Sequence, residues 1–288
     1  MIKETVGVVG CGFVGKAVFK GFAQFADVKV YDINSKLSTH SFEDVVSSNF
    51  VFVCLPTPMV SVEGGKCNLS IIHSFFDKVK QEELFNATTI FILKSTIPVG
   101  TTREISNKHN IKRIVHCPEF LTARSALIDF ICPARIIIGG DDIFSVNKVG
   151  DLLENRFLGT PCLKMNPMES EMVKYMANCF FATKVLFFNE MRLLIDKLNL
   201  DWEKILKGVI TDGRIGMSHY EVPGHDKRRG IGGLCFPKDL NALIATMKEN
   251  GIDPLVLKAV WEQNKRVRKD WDWGNNSSAV SGEENASS

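Results

Sequence analysis

The chain carries almost no net charge: 35 Lys and Arg stand against 33 Asp and Glu, giving +2 over 288 residues. That balance argues against a general binder of nucleic acid or of an anionic membrane. No apolar run approaches the ~18 residues a spanning helix needs. The opening MIKETVGVVG also lacks the basic-then-apolar layout of a secretory signal. A cytoplasmic chain with neither membrane nor nucleic-acid partner is expected. The eight cysteines include no C-x-x-C pair, so a zinc site has no sequence support and no metal is expected. The chain is too long and core-rich to be a disulfide-stapled scaffold, so most of these thiols read as small buried hydrophobes in a reducing compartment. No internal repeat is present. What is present is a globular balance, 45% hydrophobic and 24% charged, enough for one large domain or two ordinary ones.

The apolar pattern predicts a strand over 5–10, a helix from Phe13 to about Phe25, and a second strand, DVKVYD, over 27–32. NFVFVCL (49–55), TTIFIL (88–93), RIVHC (113–117) and ARIIIGG (134–140) are continuous apolar runs, as in parallel strands buried on both faces. Helical patterns lie between some of them, at 71–79 and 143–156. Alternation of this kind predicts an α/β domain over 1–164, a Rossmann-like, doubly wound parallel sheet. From Met168 to Leu198 the chain is helical by periodicity, with no Pro or Gly inside. Such a helix is about 45 Å long, enough to connect to a second, all-α domain over 165–272. Residues 211–235 read as a long basic, Gly-rich loop, and helices resume at 237–250 and 254–269. The polar stretch 273–288 is expected to be disordered.

Gly10-Cys11-Gly12-Phe13-Val14-Gly15 is G-x-G-x-x-G between the first strand and the first helix. The first glycine permits the tight turn, the second lets the backbone approach a pyrophosphate, and the third lets helix and strand pack closely. The helix N-terminus adds unpaired N–H groups. Asp32 ends the second strand, where a carboxylate accepts from a ribose diol and repels a 2′-phosphate. The expected cofactor is therefore NAD. The plainer reading is a structural turn and a helix-capping Asp.

CLPTP (54–58), KSTIPVGTT (94–102) and PEFL (118–121) each follow a predicted strand, and ligands of open α/β sheets bind beyond strand C-termini. With GGLCFPKD (232–239), EMVKYMANCFFATKVLFFNE (171–190) and DGRIG (212–216), these segments make the chain resemble the UDP-glucose/GDP-mannose dehydrogenase family from residue 5 to about 270. The resemblance implies NAD-dependent, four-electron oxidation of the C6 hydroxymethyl of a nucleotide sugar, most plausibly UDP-glucose, to a carboxylate. It implies a homodimer through the central helices, a role with which Phe180, Phe181, Phe187 and Phe188 are compatible; packing within one chain explains them almost as well.

An aldehyde has no good hydride to give until a nucleophile adds to its carbonyl. A cysteine thiolate can add, giving a thiohemiacetal and then a thioester that water cleaves. By resemblance that cysteine is Cys235, placed before Pro237 at a helix start and beside Lys238. The local sequence alone leaves Cys235 open between nucleophile and structural thiol. The resemblance likewise makes Lys174 an oxyanion stabiliser and Asn178 a hydrogen-bond donor, and their i, i+4 spacing puts them on one helix face. On spacing alone, a solvated Lys and a surface Asn would be the simpler reading. Asp239 is implied for base work or water positioning, and Thr96 and Glu119 to hold the hydrolytic water; turn and helix capping are the alternatives. Pro56, Thr57 and Thr96 are implied at the cofactor, and Phe120, Leu121 and Gly232 at the substrate. Arg228, in the basic stretch 225–229, is a candidate for a diphosphate, or a solvated loop tip.

The sequence departs from the family pattern at Ala123, where a second acid is common, at Cys117 in place of Asn, and at Ile231 and Leu234. Typical members continue into a further nucleotide-binding domain where this sequence has a polar stretch, so either a short-form enzyme or a fragment with incomplete substrate binding is expected. Two other readings stay open: a β-hydroxyacid-type dehydrogenase, which needs no cysteine, and a non-catalytic NAD-binding module.

Overall fold

A computed structural model describes residues 4–281. Nine strands and ten α-helices are found among them. They divide into two compact units, one made of residues up to Thr57 with Leu69–Lys174, the other of Pro58–Asn68 with the residues from Tyr175 onward.

The first unit is built on a seven-stranded sheet. Its strands are β1 (Thr5–Val9), β2 (Asp27–Tyr31), β3 (Phe50–Val53), β6 (Ile90–Leu93), β7 (Ile114–His116), β8 (Ile136–Gly139) and β9 (Cys162–Met165). The order is β2-β1-β3-β6-β7-β8-β9, parallel throughout except between β7 and β8. β3 (FVFV) and β6 (IFIL) are buried at every position. Alternate side chains of a strand point to opposite faces, so each strand feeds two cores. Val8, Phe52, Ile92 and Ile138 join one, with Phe22 of α1 (Phe13–Phe22) and Leu153 of α6 (Ile143–Arg156). Val9, Val53, Phe91 and Leu93 join the other, with Phe76 of α3 (Ser70–Gln81) and Ile105 of α4 (Thr101–His109). That double burial is the physical reason the runs are continuously apolar. β9 escaped the sequence reading because it is half-exposed and its CLKM has no apolar run.

α7 runs from Pro167 to Lys197, 31 residues and about 46 Å. It starts with a capping box: the Glu169 amide donates to Asn166 Oδ1 at 3.0 Å, and the Asn166 amide donates to Glu169 Oε2 at 2.9 Å. It ends at Asn199, whose φ of 54° closes the helix without glycine. The division between units falls inside this helix, after Lys174, not before it at 164.

The second unit holds the rest of α7 with α8 (Trp202–Ile210), α9 (Phe236–Glu249) and α10 (Leu255–Val267). It also contains an antiparallel hairpin that the sequence reading did not see, β4 (Met59–Ser61) and β5 (Gly64–Cys67). The disorder expected from residue 273 does not hold as far as 281. Trp273 is fully buried, stacks on Trp271 at 5.5 Å, and donates to the Val62 carbonyl at 3.0 Å. The chain then pairs with β4 through Met59 N to Ala279 O and Ser281 N to Met59 O. Residues 282–288 of that expected tail lie outside the described residues. Indole burial outweighs the Ser/Asn composition that suggested disorder.

Candidate active site

In the first unit, the glycine loop has the geometry its sequence requires. Gly10 has φ +86°, and a Cβ there would meet the Cys54 carbonyl at 2.7 Å; one at Gly15 would meet the Gly10 carbonyl at 1.9 Å. A Cβ on Gly12, by contrast, would meet nothing within 4 Å. The loop is thus closed beneath and open above, and α1 begins after Gly12 with no side-chain cap. The first-turn N–H groups, Phe13 and Val14 among them, have no intrahelical acceptor and suit an anion. Asp32 stands beside this loop. Its Oδ2 accepts from the Cys11 amide at 2.6 Å and its Oδ1 from the Asn34 amide at 2.8 Å. Each oxygen keeps lone-pair capacity for a diol. These residues fit a dinucleotide.

Pro56 and Thr57 follow β3, and the Thr57 hydroxyl donates to the Thr96 carbonyl at 2.7 Å, joining CLPTP to KSTIPVGTT. Ser95 makes the parallel tie, its hydroxyl donating to the Leu55 carbonyl at 2.5 Å. PEFL follows β7. The Lys174 ammonium, 2% exposed, donates to the Glu119 carbonyl at 2.6 Å and to Glu119 Oε1 at 3.1 Å. Glu119 Oε2 accepts from the Leu121 amide at 2.6 Å. Phe120 lies under two cations, Arg135 at 4.0 Å and Lys174 at 5.2 Å from its ring centre. A cavity of about 260 Å³ opens beside this segment, lined by Lys94, Cys117, Glu119, Phe120 and Arg135 among others.

In the second unit, Cys235 is the N-cap residue of α9 and makes no side-chain cap bond, and Pro237 follows in the first turn. Asp239 is buried, and both its oxygens are engaged. One pairs with Lys238 Nζ at 2.6 Å, the other accepts from the Asn178 amide nitrogen at 2.6 Å. Burial by itself would depress the Lys238 ammonium, but Asp239, Cys67 and Cys235 together outweigh it, so the group is held above its ordinary range.

Gly232 and Arg228 have partners of their own. A Cβ at Gly232 would lie 2.2 Å from the buried Arg268 guanidinium, so packing accounts for that glycine. Arg228 pairs with Asp270 at 2.7 Å. The loop over 211–235 contains no strand or helix but is tied down: Arg268 bonds Asp226 at 2.8 Å and Asp272 at 3.0 Å, and Ile231 N donates to Asn264 Oδ1 at 2.8 Å.

The expectation that most cysteines are buried hydrophobes holds only in part: Cys11, Cys117 and Cys179 are buried, four are half-buried, and Cys132 is exposed. Burial pushes the Cys54 thiol up to about 12 and the Cys162 thiol up to about 11, and raises Cys11 and Cys179 as well. The sequence reading missed three buried polar residues near the predicted ones. Lys94 donates to the Pro118 carbonyl at 3.2 Å, His116 Nδ1 lies 2.8 Å from Ser170 Oγ, and Glu171 accepts from the start of α4. Their only local signal is a polar residue inside, or next to, a motif or an apolar run.

A glycine loop open to an anion, an acid at the end of the next strand and a mostly parallel sheet define a Rossmann-type dinucleotide-binding protein. Residues 29–155 match the NAD binding domain of the UDP-glucose/GDP-mannose dehydrogenase family, and residues 168–266 match the central domain of the same family. The chain belongs to the UDP-glucose/GDP-mannose dehydrogenase family, and its cofactor is NAD. Among its relatives is a UDP-glucose 6-dehydrogenase of Rickettsia bellii, 31% identical over 239 residues that make up 80% of this chain and 52% of that one. Among solved structures, a UDP-glucose dehydrogenase from the hyperthermophilic archaeon Pyrobaculum islandicum superposes with a TM-score of 0.79 at 28% identity, over 92% of this chain and 68% of that one. The 3-hydroxyisobutyrate dehydrogenase of Mycobacterium tuberculosis shares the fold, with a TM-score of 0.73 at 16% identity over 94% and 95% of the two chains. The chain spans about half the length of the curated relatives it matches.

Proposed function

We propose that this chain oxidises the C6 hydroxymethyl of a nucleotide sugar, UDP-glucose in the first instance, to the carboxylate through a thioester on Cys235. NAD, when bound at the glycine loop, supplies the hydride acceptor. The observation that carries the reading is Cys235 itself. It stands at a helix N-terminus, within electrostatic reach of a buried ammonium, a setting that favours thiolate. A dehydrogenase that performs a single hydride transfer has no use for such a thiol.

Each unit contributes its own residues. In the second, the Cys235 sulfur adds to the aldehyde carbonyl, and the carbonyl electron pair moves to oxygen as a thiohemiacetal forms. Asn178 donates a hydrogen bond to substrate oxygen. Asp239, with both oxygens engaged, acts through Asn178 and Lys238. In the first unit, Lys174 stabilises negative oxygen, while Glu119 and Thr96 hold the water that cleaves the thioester. Glu119 keeps the Lys174 ammonium in place. Gly12 and Asp32 bind the cofactor, and Pro56 and Thr57 contribute to the same cofactor site.

We also propose that the chain pairs with a second copy through α7. The aromatic run divides there. Phe188 is buried and Phe181 stacks on His219, but Phe180 and Phe187 are 64% and 54% exposed, with Met176 and Leu194 continuing their stripe. A contiguous exposed apolar stripe of this kind fits an interface. Solution mass that falls from dimer to monomer in Phe187→Glu supports this; an unchanged mass refutes it.

The activity is tested by NADH absorbance with a panel of nucleotide sugars, on the intact chain and on Cys235→Ser. Two NADH per sugar, lost or stalled in the variant, are expected. One NADH per substrate, unaffected by the variant, would point to a simple alcohol dehydrogenase. NAD binding without turnover would leave a binding module.

A further inference from the structure

We infer that Glu171 is a positioning residue that locks the Thr96 loop to the helix turn carrying Lys174. α4 starts after Gly100, whose φ is +99°, and has no local side-chain cap. Its N-terminal donors are instead satisfied from a distance. The Gly100 amide donates to Glu171 Oε2 at 2.5 Å, and the Thr102 amide and hydroxyl donate to Oε1 at 2.8 and 2.5 Å. Glu171 is fully buried and lies 69 to 71 residues further along the chain.

A Ser or Asp at the N-cap position would have satisfied α4 locally. A cap from another helix does more, because it joins two segments that each carry a predicted site residue. Lys174 follows Glu171 by three residues, and Thr96 precedes Gly100 by four. The far end of the same loop is tied to CLPTP through Thr57 and Ser95. His116, also fully buried, makes a second tie from the strand preceding PEFL to Ser170, the neighbour of Glu171. A buried carboxylate is costly, and burial raises the Glu171 pKa in spite of three hydrogen bonds. The carboxylate geometry fits two N–H groups and a hydroxyl at once. Its kinetic consequence rests on the dehydrogenase reading.

The test uses the full chain with Glu171→Gln, which keeps the volume and one acceptor oxygen but turns an NH2 toward the Gly100 amide. Thr102→Val, which removes only the hydroxyl bond, is the milder second variant and carries the same readouts should the first not fold. Hydrogen exchange of the amides over 96–104 and acylation of Lys174 by a small reagent are followed first. Both are expected to rise ~10-fold in Glu171→Gln, and less in Thr102→Val. With nucleotide sugar, kcat is expected to fall ~10- to 100-fold while KM for NAD stays within ~2-fold. Unchanged exchange and acylation in a folded variant would overturn the inference, and so would faster exchange with kcat intact. If the wild-type chain forms no NADH but both structural readouts rise, the dehydrogenase reading fails and the tie stands.

Discussion

Asp239 and Asn178 meet at 2.6 Å, carboxylate oxygen to amide nitrogen, 61 residues apart in the chain and both buried. The other Asp239 oxygen holds the Lys238 ammonium, so one carboxylate orients an amide and compensates a buried charge together. Asp239→Asn removes the carboxylate that faces the buried Lys238 ammonium, which costs about 3–5 kcal/mol. Urea unfolding of Asp239→Asn and of Asp239→Asn with Lys238→Met checks this. The double variant is expected to recover part of the loss, because an apolar side chain replaces a buried charge that has lost its carboxylate. Equal stability in all three chains would show that the pair does not matter.

Acid is expected to destabilise the first unit through His116. Burial drives its pKa down to about 3 from the usual 6.5. The folded state therefore binds fewer protons than the unfolded chain, and stability falls as pH drops from about 6.5 toward 3. At pH ~5 the cost is about 2 kcal/mol. Glu171, whose pKa burial raises above the usual 4.5, works in the opposite sense as pH falls through its folded value toward 4.5. Denaturant titrations at several pH values should show a flatter profile for His116→Gln; an unaltered slope would mean that other groups carry it.

Thiol mapping separates the cysteines by environment. At mildly alkaline pH, iodoacetamide should modify the exposed Cys132 and, on our reading, Cys235, while Cys54 and Cys179, whose thiols burial holds protonated, stay unmodified. Modification of Cys235 should slow when NAD and a nucleotide sugar are added together. A Cys235 no more reactive than Cys54 would count against the thioester.

Trp273→Ala removes a fully buried indole and its bond to Val62, at a cost of about 3–5 kcal/mol. Limited proteolysis should then cut after Arg268 or Lys269, in the segment that ends in this anchor. Resistance equal to the wild type would show that pairing of Met59 with residues 279–281 suffices.

Much of the chemistry was legible in the chain because it is local. A glycine turn, an acid ending a strand and a cysteine two residues before a first-turn proline depend on neighbours in sequence. Continuous apolar runs such as FVFV and IFIL announce a sheet covered on both faces, since each side-chain alternation must be apolar. The absence of Pro and Gly from Met168 to Leu198 marks a long helix in the same way.

What depended on distant partners was not legible. Nothing near Gly100 indicates that α4 is capped by Glu171, and nothing near Gly232 says that Arg268 fills the space a side chain would need. The hairpin at 59–67 forms only because α9 and Trp273 give it a surface, and the stretch 273–281 is ordered for the same reason. Arg228 looked open to a phosphate until Asp270 took it. Local conformational preference acts over a few residues and can be read in order. Charge pairing, burial and the filling of space are settled between residues the fold brings together, and for this chain only the tertiary structure decided them.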